Sequence, residues 1–430
     1  MIFLYFYYIL DFMKRILLFI VVLLIGMAAF GQELLFYSER YKEAESSFEQ
    51  RLNILQTVKE RDVGTGEFYH EALKLLLLRA PDITKVTTER RNAEQRALES
   101  SVVIVSDGLG KAKVTAAQTD LWSAVNLVDT DGNAQEGHAM RAALYALGQV
   151  DAKDHVEKIA KRLHDYNRQV PLAGSNNPAR RRVQQGVMGC IEALEALKDI
   201  RGYRSVFFAS VPRAWYDKVV KDLAIAALPN IVDDPSDEIA FIIRMDDSEP
   251  EVKQRAFDEM KKNTKMPDES RAKVAAAALE VGHAYKTQNR NYSKIMRELR
   301  KDAIQMIRRC GVASDSVYLD LERSYKVNFE SNDVDEDEIM HTLNALGALK
   351  TDQAVALLYK FLSQIEDRRS KSVWTNKERK MFTWILPCLS LTGTKSEDVR
   401  KLLVAMKDNA KYTSQERAMI LRTMKDLGFE

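Results

Sequence analysis

The sequence contains few of the residues that interrupt or cross-link a fold. Its 430 residues include nine prolines, eighteen glycines and three cysteines. So few prolines and glycines argue against long flexible linkers. Cys190, Cys310 and Cys388 are widely separated and form no CxxC pair, which excludes the common zinc and thioredoxin-type motifs. Each lies among apolar residues, so we expect buried thiols, and a single disulfide stays open as an alternative in an oxidising compartment.

An excess of charge of either sign is also absent. The chain has 64 basic and 62 acidic residues, a formal net charge of +2. No global field therefore favours nucleic acid or an acidic substrate. The hydrophobic content of 46% and the charged content of 29% are typical of a folded protein. Strand patterns are nearly lacking, because the one β-branched run, Val102–Val105, lies inside a helical pattern.

Motifs that carry catalysis or bind metals are missing as well. The sequence has no GxSxG, and no two of its six histidines form an HExxH motif. Gly108–Lys111 hints at a phosphate loop but lacks both the earlier glycine and the following hydroxyl. Asp129–Asn133 begins like a calcium loop, yet Ala134 and Met140 replace its turn glycine and bidentate glutamate. We therefore predict no catalytic residue, no cofactor and no metal.

Residues 1–31 are predicted to be a targeting segment. Met13-Lys14-Arg15 is a positive start, Ile16–Met27 is apolar, and Ala28–Gly31 supplies small residues before a cut after Gly31. We interpret Met13 as the true start and residues 1–12 as the product of an upstream start. An uncleaved anchor is the alternative, because residues 16–30 come near the ~17-residue lower bound for a membrane span. The sequence predicts export, most concretely to a bacterial periplasm, with secreted or membrane-anchored forms as alternatives.

The rest of the chain reads as helices. Residues 32–85 are predicted to form an N-terminal helical cap, with one long polar helix over 32–62. Residues 86–430 are predicted to form helix pairs, and the first pair, 87–105 with 111–128, is expected to be separated around Gly108–Gly110. The later pairs are expected at 136–149 with 152–166, 178–199 with 203–210, 213–231 with 235–244, 250–262 with 268–286, 291–310 with 314–327, 335–349 with 351–366, and 376–391 with 396–408, before a last helix at 413–427.

Two acidic turns that contain proline organise this helical pattern. Asp233–Ser236 leads into one apolar helical stretch, and Asp246–Pro250 leads into the next. Asp and Ser satisfy the free N–H groups at a helix start, and proline is tolerated in the first turn. A short helix–turn–helix unit cannot bury its own apolar face, so each unit needs a similar unit on either side.

These residues resemble the HEAT-repeat family. Leu228-Pro229-x-Ile231 is similar to the bent end of a first HEAT helix, and Asp247 with Val252 and Lys253 is similar to the turn aspartate, apolar residue and basic residue that follow. A HEAT-like ending recurs at Ala146-Leu147-Gly148 with Val156, at Ala345-Leu346-Gly347 with Val355, and at Leu386-Pro387-x-Leu389 with Val399-Arg400. Glu157 and Ala240 stand where the family has basic residues, so the resemblance does not imply a continuous ladder of ion pairs.

The resemblance covers about Glu136 to Leu427 and, more weakly, Thr87 to Val128. It implies an all-α superhelix, a solenoid of stacked antiparallel helix pairs with irregular repeat length. Such a fold binds protein partners through a concave face lined by the second helices. We predict a non-catalytic, exported scaffold or adaptor. The alternatives are a HEAT-like repeat enzyme or lyase-type subunit and a membrane-anchored envelope assembly factor.

Two basic stretches are candidates for partner contact. The first is Arg180, Arg181 and Arg182 at a predicted helix start. The second lies around Trp374 and Trp384 and consists of Arg368, Arg369, Lys371, Lys377, Arg379 and Lys380. Arginine and aromatic residues are enriched at binding hot spots, so we predict partner binding at Arg180, Arg181, Arg182, Trp374, Lys377, Arg379 and Lys380. The alternative is a solvated helix face between acidic neighbours. The expected partner is a protein, not nucleic acid, and a membrane only if residues 1–31 are retained as an anchor.

Overall fold

The structure is a computed structural model and describes residues 31–44, 47–128, 137–169, 174, 177–330, 335–371 and 374–429. In these residues every regular element is a helix, which confirms the all-helical prediction. Most of the predicted signal segment and the calcium-loop-like residues 129–133 lie outside the described ranges. Among the described helices, none combines the length and the apolar character that crossing a membrane requires.

Twenty α-helices follow one another in the part of the chain that the structure describes. They are α1 (31–43), α2 (Phe48–Glu60), α3 (Gly66–Arg79), α4 (Thr88–Lys111), α5 (Gln118–Val128), α6 (His138–Gln149), α7 (Val156–Asn167), α8 (Pro178–Leu197), α9 (Tyr203–Ser210), α10 (Lys218–Ile231), α11 (Ser236–Arg244), α12 (Pro250–Lys262), α13 (Asp268–Ala284), α14 (Arg290–Cys310), α15 (Asp315–Glu330), α16 (Glu336–Leu349), α17 (Asp352–Ser370), α18 (Asn376–Thr392), α19 (Glu397–Asp408) and α20 (Ser414–Asp426). Short 3-10 helices at Ala80–Lys85, Thr115–Ala117, Lys153–His155 and Ile200–Gly202 precede α4, α5, α7 and α9.

The prediction of one helix over residues 32–62 was wrong. Two helices, α1 and α2, occupy this region, and Ser47 is the N-cap of α2. The Ser47 side chain accepts a hydrogen bond from the N–H of Gln50 at 3.3 Å. The buried carboxylate of Glu94 on α4 accepts the N–H of Phe48 at 2.6 Å. The side chain of Glu94, which is distant in sequence, thus accepts a free backbone N–H at the start of α2. The sequence around Ser47 does not predict this contact.

The expected break at Gly108–Gly110 was also wrong. Helix α4 runs through these residues without interruption as far as Lys111. The ring of Tyr69 packs directly against the backbone of Gly108, where a side chain would collide with it. These glycines therefore allow close packing between helices and do not form a turn.

The helices group into two compact units, which divide at Val232 and Asp233. In the first unit α2, α4, α6, α8 and α10 form a row in which each contacts the next, and α3, α5, α7 and α9 pack beside this row. Leu144 on α6 and Ile191 on α8 are among its fully buried residues. The predicted boundary between a cap (32–85) and a repeat region (86–430) stays a prediction.

In the second unit the same alternation is continuous. Helices α12, α14, α16, α18 and α20 form what we call the even row, and α11, α13, α15, α17 and α19 form the odd row. Each row packs against the other through a core that includes Leu346, Phe361 and Phe382, all fully buried. Contacts between successive helices are extensive from α14 to α18 in the even row but thin from α15 to α19 in the odd row.

The two acidic turns begin helices as predicted. Asp234 Oδ1 accepts the N–H of Ser236 at 3.1 Å where α11 begins, and α12 begins at Pro250. The basic residue of this stretch, Lys253, is almost fully buried. Its Nζ donates to the carbonyl of Ile243 at 2.8 Å and also to that of Met245, so it satisfies the end of α11.

The two small-Leu-Gly endings share one packing role. A Cβ on Gly148 of α6 would lie 2.9 Å from Ala196 Cβ and 3.0 Å from Ala193 Cα, both on α8. A Cβ on Gly347 of α16 would lie 3.0 Å from the carbonyl oxygen of Cys388 on α18. In both places the glycine allows one helix to approach the next helix of its row closely.

Candidate functional site

The first predicted cluster lies in the first turn of α8. Arg180 Nη2 donates to Asp217 Oδ1 at 2.6 Å and to the carbonyl of Trp215 at 3.3 Å, and its guanidinium lies 5.7 Å from the centre of the Trp215 ring. Arg181 is exposed and Arg182 is half-buried. Consecutive helical residues point about 100° apart, so these three arginines do not share one face. Arg180 acts as a link between α8 and the segment that enters α10.

The second predicted cluster lies in the second unit and is built around Arg369. This residue, on α17, is buried between two rings, with its guanidinium 4.3 Å from the Trp374 ring and 3.8 Å from the Tyr412 ring. It donates to the carbonyl of Lys411 and lies 3.4 Å from Glu416 Oε2. Trp374 therefore serves to pack Arg369 against the loop that precedes α20.

Lys377 is likewise engaged inside the fold. Its Nζ donates to the carbonyl of Phe329 and lies 5.1 Å from the centre of the Phe329 ring. Arg368 covers the same ring at 4.4 Å and pairs with Glu378 at 2.8 Å. Burial lowers the pKa of Lys377, and the nearby Arg368 adds to this effect.

Arg379 and Lys380 are the exposed members of the cluster, and both face carboxylates. Arg379 Nε lies 3.8 Å from Glu416 Oε1, and Lys380 Nζ lies 2.8 Å from Glu336 Oε1. The structure thus brings Trp374, Lys377, Arg379 and Lys380 together around the start of α18. It places Arg180, Arg181 and Arg182 in the other unit.

A surface that the sequence reasoning missed lies on the odd row of the second unit. Leu319, Arg323 and Val327 follow one another at four-residue spacing along α15, so they share one face. Leu319 is 68% exposed and Val327 is 54% exposed. Lys326 of α15 and Lys360 of α17 border this stripe. We call these five residues the α15 surface.

The cations of the α15 surface pair with two carboxylates, Glu322 and Asp320, which lie deeper. Lys326 Nζ and Lys360 Nζ lie 2.6 and 2.7 Å from the same Glu322 Oε1, and Arg323 Nη1 lies 3.8 Å from Asp320 Oδ1. The side chains of Glu322 and Asp320 are only 15% and 17% exposed, whereas the three cations are 42–59% exposed. Solvent therefore meets mainly the cations and the two apolar side chains.

The two carboxylates differ in their protonation equilibria. Burial acts to raise the pKa of Glu322, but the hydrogen bonds from Lys326 and Lys360 outweigh it, and the pKa is lowered overall. Burial raises the pKa of Asp320, partly offset by Arg323. The two lysines stabilise the ionised form of Glu322. Because Lys326 lies on α15 and Lys360 on α17, this carboxylate links the two helices.

A groove of about 600 Å³ adjoins this surface. Its lining comes from three odd-row helices and consists of Arg244, Ala276, Glu280, Ser316, Leu319, Asp320 and Arg323. Arg244 and Glu280 close one side through an exposed ion pair of 3.0 Å. Mixed charges with one exposed leucine suit a peptide-like partner better than a small apolar molecule.

His283 lies beneath the groove region and is neutral at ordinary pH. Its Nε2 lies 2.8 Å from Ser324 Oγ and 3.2 Å from the carbonyl oxygen of Asp320. Burial, with Arg300 and Arg323 nearby, lowers the pKa of His283 to about 3. The histidine therefore joins α13 to α15 as an uncharged hydrogen-bonding group.

A second groove, of about 500 Å³, lies between α18 and α20 in the even row. Its lining is mostly apolar and includes Leu386, Pro387, Leu391 and Met419. Pro387 lies inside α18 and lacks the N–H that would continue the helix hydrogen bonds. This groove carries few charged groups, so it offers less chemical specificity than the α15 surface.

Metal-ligating and reactive groups are scattered. Within the described ranges, no three His, Cys, Asp or Glu side chains are placed to hold a metal ion. The three cysteines form no disulfide with one another, and Cys190 and Cys388 are buried. Burial raises the pKa of Cys388 to about 12, which makes its thiol unreactive at ordinary pH.

No protein-family model matches the chain, and no curated protein matches it significantly.

Proposed function

We infer that this chain is a HEAT-like helical-repeat protein whose function is to bind a protein partner. The observation that carries this proposal is the α15 surface, where two large apolar side chains stand exposed among cations. Exposed apolar residues next to arginine are characteristic of protein contact sites. The function is non-catalytic and corresponds to a scaffold or adaptor.

The pattern of helix contacts supports a solenoid. Helices pack chiefly on their next and next-but-one neighbours within each unit. Side-chain pairs between neighbouring repeats span similar lengths of chain: 38 residues for Lys360 with Glu322, 44 for Glu157 with Arg201, which lies in the 3-10 helix before α9, and 51 for Arg141 with Glu192. These separations bracket the ~40–47 residue period of HEAT repeats. The differences among them agree with repeats of unequal length.

Export remains part of the proposal and rests on the sequence of residues 1–31. A positive start, an apolar run and small residues before Gln32 favour cleavage and a periplasmic location. Mass spectrometry of the mature N-terminus provides the test. A chain that begins at Gln32 supports export, and a chain that retains residues 16–30 supports the membrane-anchored form instead.

Site-specific photo-crosslinking tests the binding function. A photoreactive amino acid is placed in the full chain at Leu319, and matched chains carry it at Lys401 on α19 or at Arg379. Both control positions are exposed, and Lys401 also lies on the odd row. We expect one protein to crosslink at position 319 in high yield and not at position 401. Crosslinking at position 379 alone would move the contact to the predicted Trp374 cluster.

The absence of any protein crosslink would contradict the proposed binding function. If none of the three positions gave a protein adduct in envelope fractions of the source organism, the protein-binding function would be rejected. The HEAT-like enzyme would then become the leading alternative, and it would be tested by screening the purified chain against small substrates.

A further inference from the structure

At the α15 surface the basic side chains are more exposed than the carboxylates that pair with them. The exposed groups are three cations, on Arg323, Lys326 and Lys360, and the carboxylates that partner them lie deeper. Glu322 is shared by two lysines, so its single negative charge is divided between them. The charged groups that this surface exposes are therefore mainly cations, although the whole chain is almost neutral and Glu280 is exposed in the adjoining groove.

Apolar side chains alternate with these cations. Leu319 and Val327 stand one helical turn before and after Arg323 on the same face of α15. Lys360 on α17 pairs with Glu322 on α15, so cations from both helices border the stripe of Leu319 and Val327 on α15.

We propose that the α15 surface binds an acidic amphipathic segment of the partner protein. The carboxylates of this segment pair with Arg323, Lys326 and Lys360, and its apolar side chains cover Leu319 and Val327. This inference rests on the proposed protein-binding function and specifies the chemistry of the partner. Charge complementarity sets the orientation and the association rate, and the apolar contacts supply most of the affinity.

A helical partner segment fits the α15 surface because residues on one face of a helix also recur every three or four positions. Residues at four-residue intervals on α15 face residues at three- or four-residue intervals on a second helix. Glutamates at such intervals would reach both the α15 and the α17 cations. Nucleic acid is a poorer fit, because two apolar side chains interrupt the cations and Asp320 and Glu322 lie just beneath.

Two labelled peptides provide the test. One is an amphipathic helix of about 18 residues, five turns, built from Glu, Leu and Ala. The other carries Lys in place of each Glu. Fluorescence anisotropy is measured with the full chain at roughly 50 and 300 mM salt, because ion pairs at an exposed surface weaken as the Debye length shortens.

We expect the acidic peptide to bind and the basic peptide not to bind. The double variant Arg323→Glu/Lys360→Glu should raise the Kd of the acidic peptide at least about tenfold. Leu319→Ala should weaken binding at both salt concentrations, because it removes apolar contact area. The matched variant Lys401→Glu, which reverses an exposed charge elsewhere on the odd row, should change the Kd less than about twofold.

Several results would overturn the proposal. They are equal binding of the two peptides, no binding of either peptide, or an unchanged Kd in the Arg323→Glu/Lys360→Glu variant whose circular dichroism and melting curve match the wild type. A single-stranded DNA that displaced the acidic peptide and bound more tightly would assign the cations to nucleic acid. If a protein crosslinked at position 319 while the acidic peptide failed to bind, the proposed function would stand and only the acidic character of the partner would be lost.

Discussion

Arg300 on α14 and Glu338 on α16 lie 38 residues apart and form a two-pronged ion pair with both N···O distances at 2.9 Å. Arg300 also donates to the carbonyl of Gly282 on α13 at 3.0 Å. Glu338 is fully buried. One guanidinium thus joins α13, α14 and α16, and its partner carboxylate has no access to water.

Arg300→Met should therefore destabilise the protein strongly. Removal of the guanidinium leaves the carboxylate of Glu338 buried and unpaired, which costs about 3–5 kcal/mol. The double variant Arg300→Met/Glu338→Leu should recover much of this loss, because no charge is then left buried. Urea unfolding followed by circular dichroism measures both effects.

The matched control for this pair is Arg244→Met. Arg244 and Glu280 also join neighbouring helices of a row, but both are about half exposed. The expected loss is roughly 0–1 kcal/mol. A loss at Arg244 equal to that at Arg300 would contradict the role assigned to burial.

His283 should make stability depend on pH between about 3 and 6.5. The pKa of His283 is lowered to about 3 in the folded protein, by burial first and by Arg300 and Arg323 second. In the unfolded chain the pKa is about 6.5, so within this window the unfolded state binds a proton that the folded state does not. The contribution is complete above pH 6.5 and is lost as the pH falls towards 3.

His283→Gln should remove this dependence. The unfolding equilibrium constant of the wild type should rise, relative to that of the variant, by up to about tenfold per pH unit as the pH falls below 6.5. Urea titrations at several pH values between 7 and 4 give the comparison. His164→Gln, at an exposed site on α7, is the control and should keep the wild-type profile. Parallel profiles for the wild type and His283→Gln would show that another group governs the acid response.

Gly148→Ala should destabilise the first unit even though alanine is the better helix former. The new methyl would lie 2.9–3.0 Å from atoms of α8, including the backbone Cα of Ala193, which cannot move aside freely. Overpacking of this kind costs about 1–3 kcal/mol and outweighs the gain of up to about 1 kcal/mol from helix propensity.

Gly110→Ala is the matched variant. Its methyl would meet the terminal amide of Gln149, a flexible side chain that can rotate away. We expect an unchanged or slightly raised melting temperature at this site. Differential scanning calorimetry compares the two variants, and a stabilising Gly148→Ala would show that α6 and α8 can separate at low cost.

The sequence predicted helix boundaries well where interactions between residues close in sequence determine them. Helices α11 and α12 begin at the acidic turns because Asp, Ser and Pro act within a few residues of themselves. The helix split at Ser47 escaped prediction because its partner, Glu94, is 46 residues away from Phe48. Gly108 was predicted to be a helix break for a similar reason. Its role depends on Tyr69, a residue on another helix, whose ring packs against the Gly108 backbone.

The candidate site was harder to predict for a related reason. The basic cluster near Trp374 is visible in the sequence, but Glu336 and Glu416, which face Lys380 and Arg379, come from other helices. The spacing of Leu319, Arg323 and Val327 is also visible. Their exposure depends on how the neighbouring helices pack around α15, which the sequence of α15 alone does not indicate.

The short reach of the helix contacts has a consequence for how the chain acquires its structure. Each helix of the second unit packs chiefly on helices one or two places before and after it along the chain, so most of its partners lie within five consecutive helices. Short-range contacts of this kind favour rapid folding. Structure can therefore grow from the N-terminal end while later residues are still being delivered, and an apolar helix face stays uncovered only until two more helices have emerged.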